Sequence, residues 1–243
     1  MRLDRFVSFC AALPRREAIL AIRRGTVAIN GQVCRTPDAR VREEADAVTL
    51  AGALLLYQKT VWVMLNKPQG YVSATEDGAL PVVTELLPEE YRRREVFPVG
   101  RLDRDTVGLM LLTDDGETAH RLLSPRRHVE KEYRMTLSAP LPQDAVERCA
   151  AGMVLSDFVC KRAVLYPDAD RMGGRILLTE GKYHQIKRMM HALGTEVRTL
   201  ERTRFGGIAL DKTLKRGEWR ALTAEEIALL HAAAAPKEET KEN

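Results

Sequence analysis

The run Leu109-Met110-Leu111-Leu112 constrains this chain more than any other feature. It is preceded by Gly108 and closed by Thr113-Asp114-Asp115-Gly116. Four adjacent apolar residues between such breakers read as a strand buried in a core. Immediately before it stands Gly100-Arg101-Leu102-Asp103-Arg104-Asp105-Thr106. Here a carboxylate, Asp103, lies beside two arginines, Arg101 and Arg104, on a Gly-bounded turn against that strand. A group anchored in this way is held rigidly, as a catalytic group must be. Taken alone, an acidic loop capped by arginines fits the same residues. Asp105 reads as a surface residue, and Asp115 as a helix N-cap.

At 243 residues the chain has room for one large domain, or for a small domain joined to a larger one. No apolar run approaches the ~20 residues that span a bilayer. The start, Met1-Arg-Leu-Asp, lacks a signal-peptide core. The expectation is a cytoplasmic protein with no membrane partner. Cys10, Cys34, Cys149 and Cys160 form no Cys-x-x-Cys pair, so neither a zinc site nor a redox couple is expected, only reduced thiols. The formal net charge is only +4, but the basic residues are concentrated. Residues 1–42 hold nine arginines against Asp4, Glu17 and Asp38. Residues 182–220 hold ten Lys/Arg against Glu196, Glu201, Asp211 and Glu218. Two basic regions in a near-neutral chain point to a polyanion partner. An arginine-rich solvated surface fits the same counts.

Along the chain, residues 2–13 place Leu3, Phe6, Val7 and Cys10 on one helical face. Pro14 suits the first turn of a second helix, Arg15 to Arg24, ended by Gly25. Thr26–Cys34 reads as a hairpin turning at Asn30-Gly31, where both residues need positive φ. Residues 51–59 lead into a larger region of alternating strands and helices. The predicted strands are Thr60–Leu65, Val129–Leu137, Arg175–Thr179 and Glu196–Phe205. The predicted helices are Asp115–Leu123, Asp144–Ala151 and Tyr183–Leu193. Thr223-Ala-Glu-Glu226 is a capping box opening a last helix to about Ala232. The charged stretch from Pro236 to Asn243 reads as disordered. His184 and His191 share a helix face but lie ~10 Å apart, too far for one metal ion. No metal site is expected.

The segment from Gly100 to Gly116 closely resembles the catalytic-Asp motif of the pseudouridine synthases, G-R-L-D-x-x-T-x-G-L-L-L-L-T-x-D-G, with Met110 for one leucine. Four further stretches resemble the same family in the same order. They are Asn66-Lys-Pro-Gln-Gly-Tyr71, Lys131-Glu-Tyr133, Gly181-Lys-Tyr-His-Gln-Ile-Lys-Arg-Met189, and the closing pair Leu200–Gly206 and Gly217–Leu222. Residues 1–50, with Arg-Leu-Asp-Arg-Phe, Arg-Arg-Glu-Ala and Ile-Arg-Arg-Gly-Thr-Val-Ala-Ile-Asn-Gly, resemble an S4 RNA-binding domain, with Pro14 where that family often has Ser. The combination is similar to the RsuA-type branch. The form Tyr183-His184-Gln185 is most similar to the small-subunit (16S) rRNA enzymes, whereas large-subunit relatives carry Asn-Arg at the first two positions.

The resemblance implies an α+β fold. An S4-like domain would occupy residues 1–57, a catalytic domain 60–232 with a mixed, mostly antiparallel sheet and flanking helices, and a disordered tail 233–243. It implies isomerisation of a specific uridine in 16S rRNA, alone or in a small-subunit assembly intermediate, by a monomer that needs no cofactor because substrate and product are isomers. Asp103 would attack or deprotonate the sugar. Tyr133 would stack on the uracil near C5, and Lys187 would pair with Asp103, favouring its ionised form. Arg101 would fill the space left by the extruded uridine. Arg5, Arg15, Arg16, Arg23, Lys67, His184, Gln185, Arg188 and Arg202 are expected to contact RNA. The alternatives are a 23S rRNA enzyme of the same branch, a non-catalytic rRNA-binding assembly factor, and a glycosidase-like hydrolase. For the last, Asp103 and Asp105 do not establish facing carboxylates.

Overall fold

A computed structural model of the chain describes residues 1–235; the predicted disordered stretch from Pro236 lies outside the described residues. The chain divides into two compact units, Met1–Thr60 and Val61 onward. No helix among the described residues is long and apolar enough to cross a membrane.

In the first unit, helices α1 (Leu3–Cys10) and α2 (Arg15–Arg24) precede strands β1 (Val27–Ile29), β2 (Gln32–Val33), β3 (Val48–Leu50) and β4 (Ala53–Leu55). The strands form one antiparallel sheet in the order β2-β1-β3-β4. The apolar face of α1 supplies Leu3, Phe6 and Val7 to a core completed by Ala18, Ile22, Val27, Val41 and Val48. Pro14 is the N-cap of α2, one place ahead of the position expected, and Gly25 closes that helix in the left-handed region with φ 78°. Asn30 and Gly31 have φ 50° and 82°, as a tight two-residue hairpin turn requires. Arg5, Arg15, Arg16 and Arg23 are all exposed. Arg15 also reaches the buried Asp4 at 3.0 Å.

The second unit contains β5 (Trp62–Lys67), α3 (Glu89–Arg93), β6 (Phe97–Pro98), β7 (Val107–Thr113), α4 (Gly116–Leu123), β8 (Lys131–Leu137), α5 (Ala145–Ala151), β9 (Val164–Pro167), β10 (Gly173–Leu178), α6 (Gln185–Ala192), β11 (Val197–Phe205), β12 (Ile208–Ala209), β13 (Trp219–Ala221) and α7 (Ala224–Ala234). Its sheet runs β13-β5-β7-β11-β8-β10-β9, with β6 and β12 attached to β7 and β11. The ladder between β7 and β11 is parallel and its neighbours are antiparallel. This is a mixed sheet.

Period-two alternation sends the side chains of β5 and β7 to both faces of the sheet, and both faces are buried. Val63, Leu65, Met110 and Leu112 point to one face and share a core with Ile186, Met189 and Met190 of α6 and Ala145 and Cys149 of α5. Trp62, Met64, Leu109 and Leu111 point to the other, under Ala119 and Leu122 of α4 and Leu230 and Ala234 of α7. Helices therefore cover these strands on both sides. Further out, β8 alternates cleanly between buried and exposed residues beyond Tyr133. Asp115 caps α4 by accepting a bond from the Thr118 amide. The capping box at Thr223 and Glu226 is complete, and α7 continues to Ala234, past the predicted end at Ala232. Helix α6 begins at Gln185, later than the Tyr183 start predicted, because His184 has left-handed backbone angles.

Candidate active site

The turn between β6 and β7 carries Asp103, and its shape is set from beneath. Lys67, at the end of β5, is fully buried, with its Nζ donating to the carbonyls of Thr106 (2.8 Å), Asp103 (3.1 Å), Pro68 (3.2 Å) and Arg104 (3.3 Å). The Ser73 hydroxyl donates to the Leu102 carbonyl at 2.9 Å and accepts from the Leu102 amide at 3.0 Å. The Gly70 amide donates to the Arg104 carbonyl at 2.8 Å. Both backbone flanks of Asp103 are thus fixed, and its carboxylate is left only partly exposed. Burial pushes the Lys67 ammonium down to about 8, against the pull of Asp105 and Asp103.

The carboxylate faces the first turn of α6. Lys187 Nζ lies 3.1 Å from Asp103 Oδ2 and 2.6 Å from Asp105 Oδ1, and His184 Nε2 lies 3.6 Å from Asp103 Oδ1. Partial burial works against the charge on Lys187, but its bonds to Asp105 and Asp103 prevail and hold the ammonium above its usual value. Likewise burial opposes ionisation of Asp105, and Lys187 more than offsets it, holding that carboxyl low.

These groups open onto a cavity of about 680 Å³ lined by Asp103, Arg101, Arg104, Tyr133, His184 and Lys187 among others. That volume suits a small organic ligand. Leu102, Leu178, Ile186 and Leu200 supply its apolar wall. Tyr133, buried on β8, presents an aromatic surface there. A cavity with an apolar wall, an aromatic ring and an ion-paired carboxylate can hold a planar ring and place a charge against whatever is attached to it. The residues from Val61 to Ala192, which hold most of this cavity, match the family described as RNA pseudouridylate synthase.

The chain belongs to the RNA pseudouridylate synthase family.

Within that family it is 41% identical over 230 residues to ribosomal small subunit pseudouridine synthase A of Escherichia coli (strain K12), spanning 94% of this chain and 99% of that one. It is 38% identical over 235 residues to the RNA pseudouridine synthase YtzG of Bacillus subtilis (strain 168), spanning 95% and 98%. A crystal structure of a pseudouridylate synthase superposes with a TM-score of 0.67 at 37% identity, over 95% of this chain and 99% of that one.

The pseudouridylate synthase motifs meet in three dimensions, but not all of their residues face the cavity. Asp103, Tyr133, Lys187, Arg101, His184 and Gln185 line it. Three residues expected to contact RNA are held largely inside the protein. Lys67 is the buried staple under the Asp103 turn. Arg202 is fully buried on β11, where Nε donates to the Leu109 carbonyl at 2.8 Å and the guanidinium lies 5.3 Å from the Phe205 ring centre and within reach of the Tyr133 hydroxyl. Gln185 is buried too, its amide donating to Glu180 at 2.7 Å and its oxygen accepting from the Lys182 amide at 2.9 Å. One reason covers all three: a polar side chain with enough internal partners can leave water. Arg188 turns away from Asp103 to pair with Asp157 and lies 4.9 Å from the Phe158 ring centre.

Asp105 is exposed, as expected, and is also a direct partner of Lys187. Its spacing from Asp103 in one short turn was the signal available. Glu180 went unnoticed because nothing local marks a carboxylate that anchors the following turn.

Proposed function

We propose that this chain isomerises a specific uridine of small-subunit (16S) rRNA to pseudouridine, with Asp103 as the catalytic carboxylate. The observation that carries the reading is the Asp103 carboxylate, on a turn braced by Lys67 and paired with Lys187, in a cavity that Tyr133 also lines. The reaction breaks the N1–C1′ bond, turns the uracil, and forms C5–C1′; the C5 proton leaves and N1 gains one. A uridine must first be extruded from its stack to reach the cavity. Arg101, exposed at the cavity edge, takes the space it vacates. Tyr133 stacks on the uracil close to C5, and Asp103 acts on the sugar. Lys187 keeps a positive charge beside Asp103 as charge develops on the base and sugar.

The small-subunit assignment is supported by the extent of the match to the Escherichia coli protein named for that activity, which spans nearly the whole of both chains. The first unit serves as an S4-like RNA-binding domain, with Arg5, Arg15, Arg16 and Arg23 on the RNA backbone. The substrate is 16S rRNA, free or in an assembly intermediate, and the enzyme works as a cytoplasmic monomer.

The test is tritium release from C5-labelled uridine in 16S rRNA, naked and partly assembled with ribosomal proteins, with 23S rRNA in parallel. Release from 16S rRNA only is expected. Release from 23S rRNA only would keep the chemistry and overturn the substrate. No release from either, with no free uracil formed, would turn the reading to a binding factor.

A further inference from the structure

Tyr183 lines the rim of the cavity and is 75% exposed, the barest aromatic ring among the described residues. It is nonetheless held in place. Its ring lies on the His184 imidazole, with centroids 3.9 Å apart and planes 17° from parallel. His184 in turn sits 3.6 Å from Asp103 Oδ1. A two-ring stack thus leads from the catalytic carboxylate to open solvent.

Two independent features fix that stack. His184 is the N-cap of α6 with φ 49° and ψ 31°, yet its side chain makes no capping bond. A non-glycine residue keeps such a backbone only where its surroundings enforce it, and such outliers gather at functional sites. The buried Gln185 ties Glu180 and Lys182 together, so the turn carrying Tyr183 is anchored on both sides. The carboxylate of Glu180 also accepts from the Lys161 amide at 2.7 Å. Beyond His184 and Lys187 a second hollow of about 450 Å³, bordered by Arg188 and His191, continues the surface away from the cavity.

We infer that Tyr183 is the stacking platform for the nucleobase adjacent to the target uridine. The inference rests on the reading of the site as one that takes an extruded uridine. Extrusion leaves the neighbouring base without its stacking partner. Single-stranded bases find new partners on exposed aromatic rings. Here the ring stands beside the carboxylate that acts on the uridine, already packed on a second ring. Stacking of this kind tolerates any base, so Tyr183 adds affinity and orientation instead of sequence choice.

The experiment compares wild type with Tyr183→Ala, Tyr183→Phe and Tyr183→Trp in two assays. The first follows the fluorescence of a short single-stranded oligoribonucleotide carrying 2-aminopurine next to its one uridine; stacking quenches the signal. The second measures KM and kcat for tritium release from 16S rRNA. Quenching is expected with wild type, Tyr183→Phe and Tyr183→Trp, and not with Tyr183→Ala. KM should rise about tenfold or more in Tyr183→Ala, with a much smaller change in kcat and recovery in Tyr183→Phe. Unchanged quenching or unchanged KM in Tyr183→Ala would overturn the platform. A fall in kcat alone would make Tyr183 a prop for His184 and would also overturn it. Wild type that quenches through Tyr183 but releases no tritium would sink the assigned reaction and leave the platform standing.

Discussion

Two lysines flank Asp103 and their environments drive them in opposite directions. Lys187 meets two carboxylates, so its ammonium is held above the ordinary 10.5, and the stabilisation it brings is present below that pH and lost as pH rises through the folded value. Lys67 meets only carbonyls in a buried niche and is pushed down to about 8. Its folded value lies below its unfolded one, so the unfolded chain binds more protons between about 8 and 10.5 and this group favours folding more as pH rises there. The effect on turnover has the opposite sign, because a neutral amine donates more weakly, and with one proton fewer, to the carbonyls that shape the Asp103 turn. Turnover is therefore expected to fall as pH climbs through about 8. In Lys67→Arg, whose guanidinium keeps its proton, that fall should move to higher pH; a pH–rate profile of both proteins checks it. Asp103→Asn should abolish tritium release while filter binding to 16S rRNA stays near wild type. Comparable turnover by that variant would remove Asp103 from its role. The sequence made Asp103, Tyr133 and Lys187 legible because motif and chemistry coincide at each. It did not show the burial of Lys67 and Arg202, where residue type implied water and burial depended on partners far away in the chain.

At the level of elements, the parallel ladder of β7 and β11 decides what Gly108 must be. Gly108 pairs with Arg202 and has φ +99°, and a Cβ there would stand 2.4 Å from the Arg202 carbonyl oxygen. Neither backbone can retreat, since β7 and β11 are both flanked by other strands. Gly108→Ala is expected to destabilise the second unit by at least about 2 kcal/mol, read as a lowered urea midpoint, because strain and a backbone clash act together. On its other side β11 pairs with β8, which sets Arg202 opposite Tyr133. Elements defined by local signals were legible: the apolar run of β7, the Asn30-Gly31 hairpin, the capping box of α7. Those defined by distant neighbours were not. Strands β3 and β4 have three residues each, too few for alternation to show. The start of α6 depends on the left-handed His184, which no propensity indicates.

For the whole molecule, charge divides the work. The first unit displays Arg16 and Arg23 on α2, clear of its apolar core. If these meet the RNA backbone, Arg16→Glu with Arg23→Glu should weaken binding and flatten its salt dependence, with the slope falling by about one for each phosphate no longer neutralised. Binding isotherms at several salt concentrations measure this, and an unchanged slope would separate the first unit from the RNA. The sheet of the second unit has a further consequence, for how the protein is made. β5 and β7, which bear Lys67 and border the Asp103 turn, are bracketed by β13 and β11, strands that a ribosome delivers much later, since β7 ends at Thr113 and β11 begins at Val197. Until those arrive, the inner strands present bare edges, and the cradle of Asp103 lacks the ladder that closes it. The Asp103 turn is thus not closed in a nascent chain. It takes its full form only after β11 and β13 have emerged, and until then the unfinished polypeptide exposes edges that can associate wrongly.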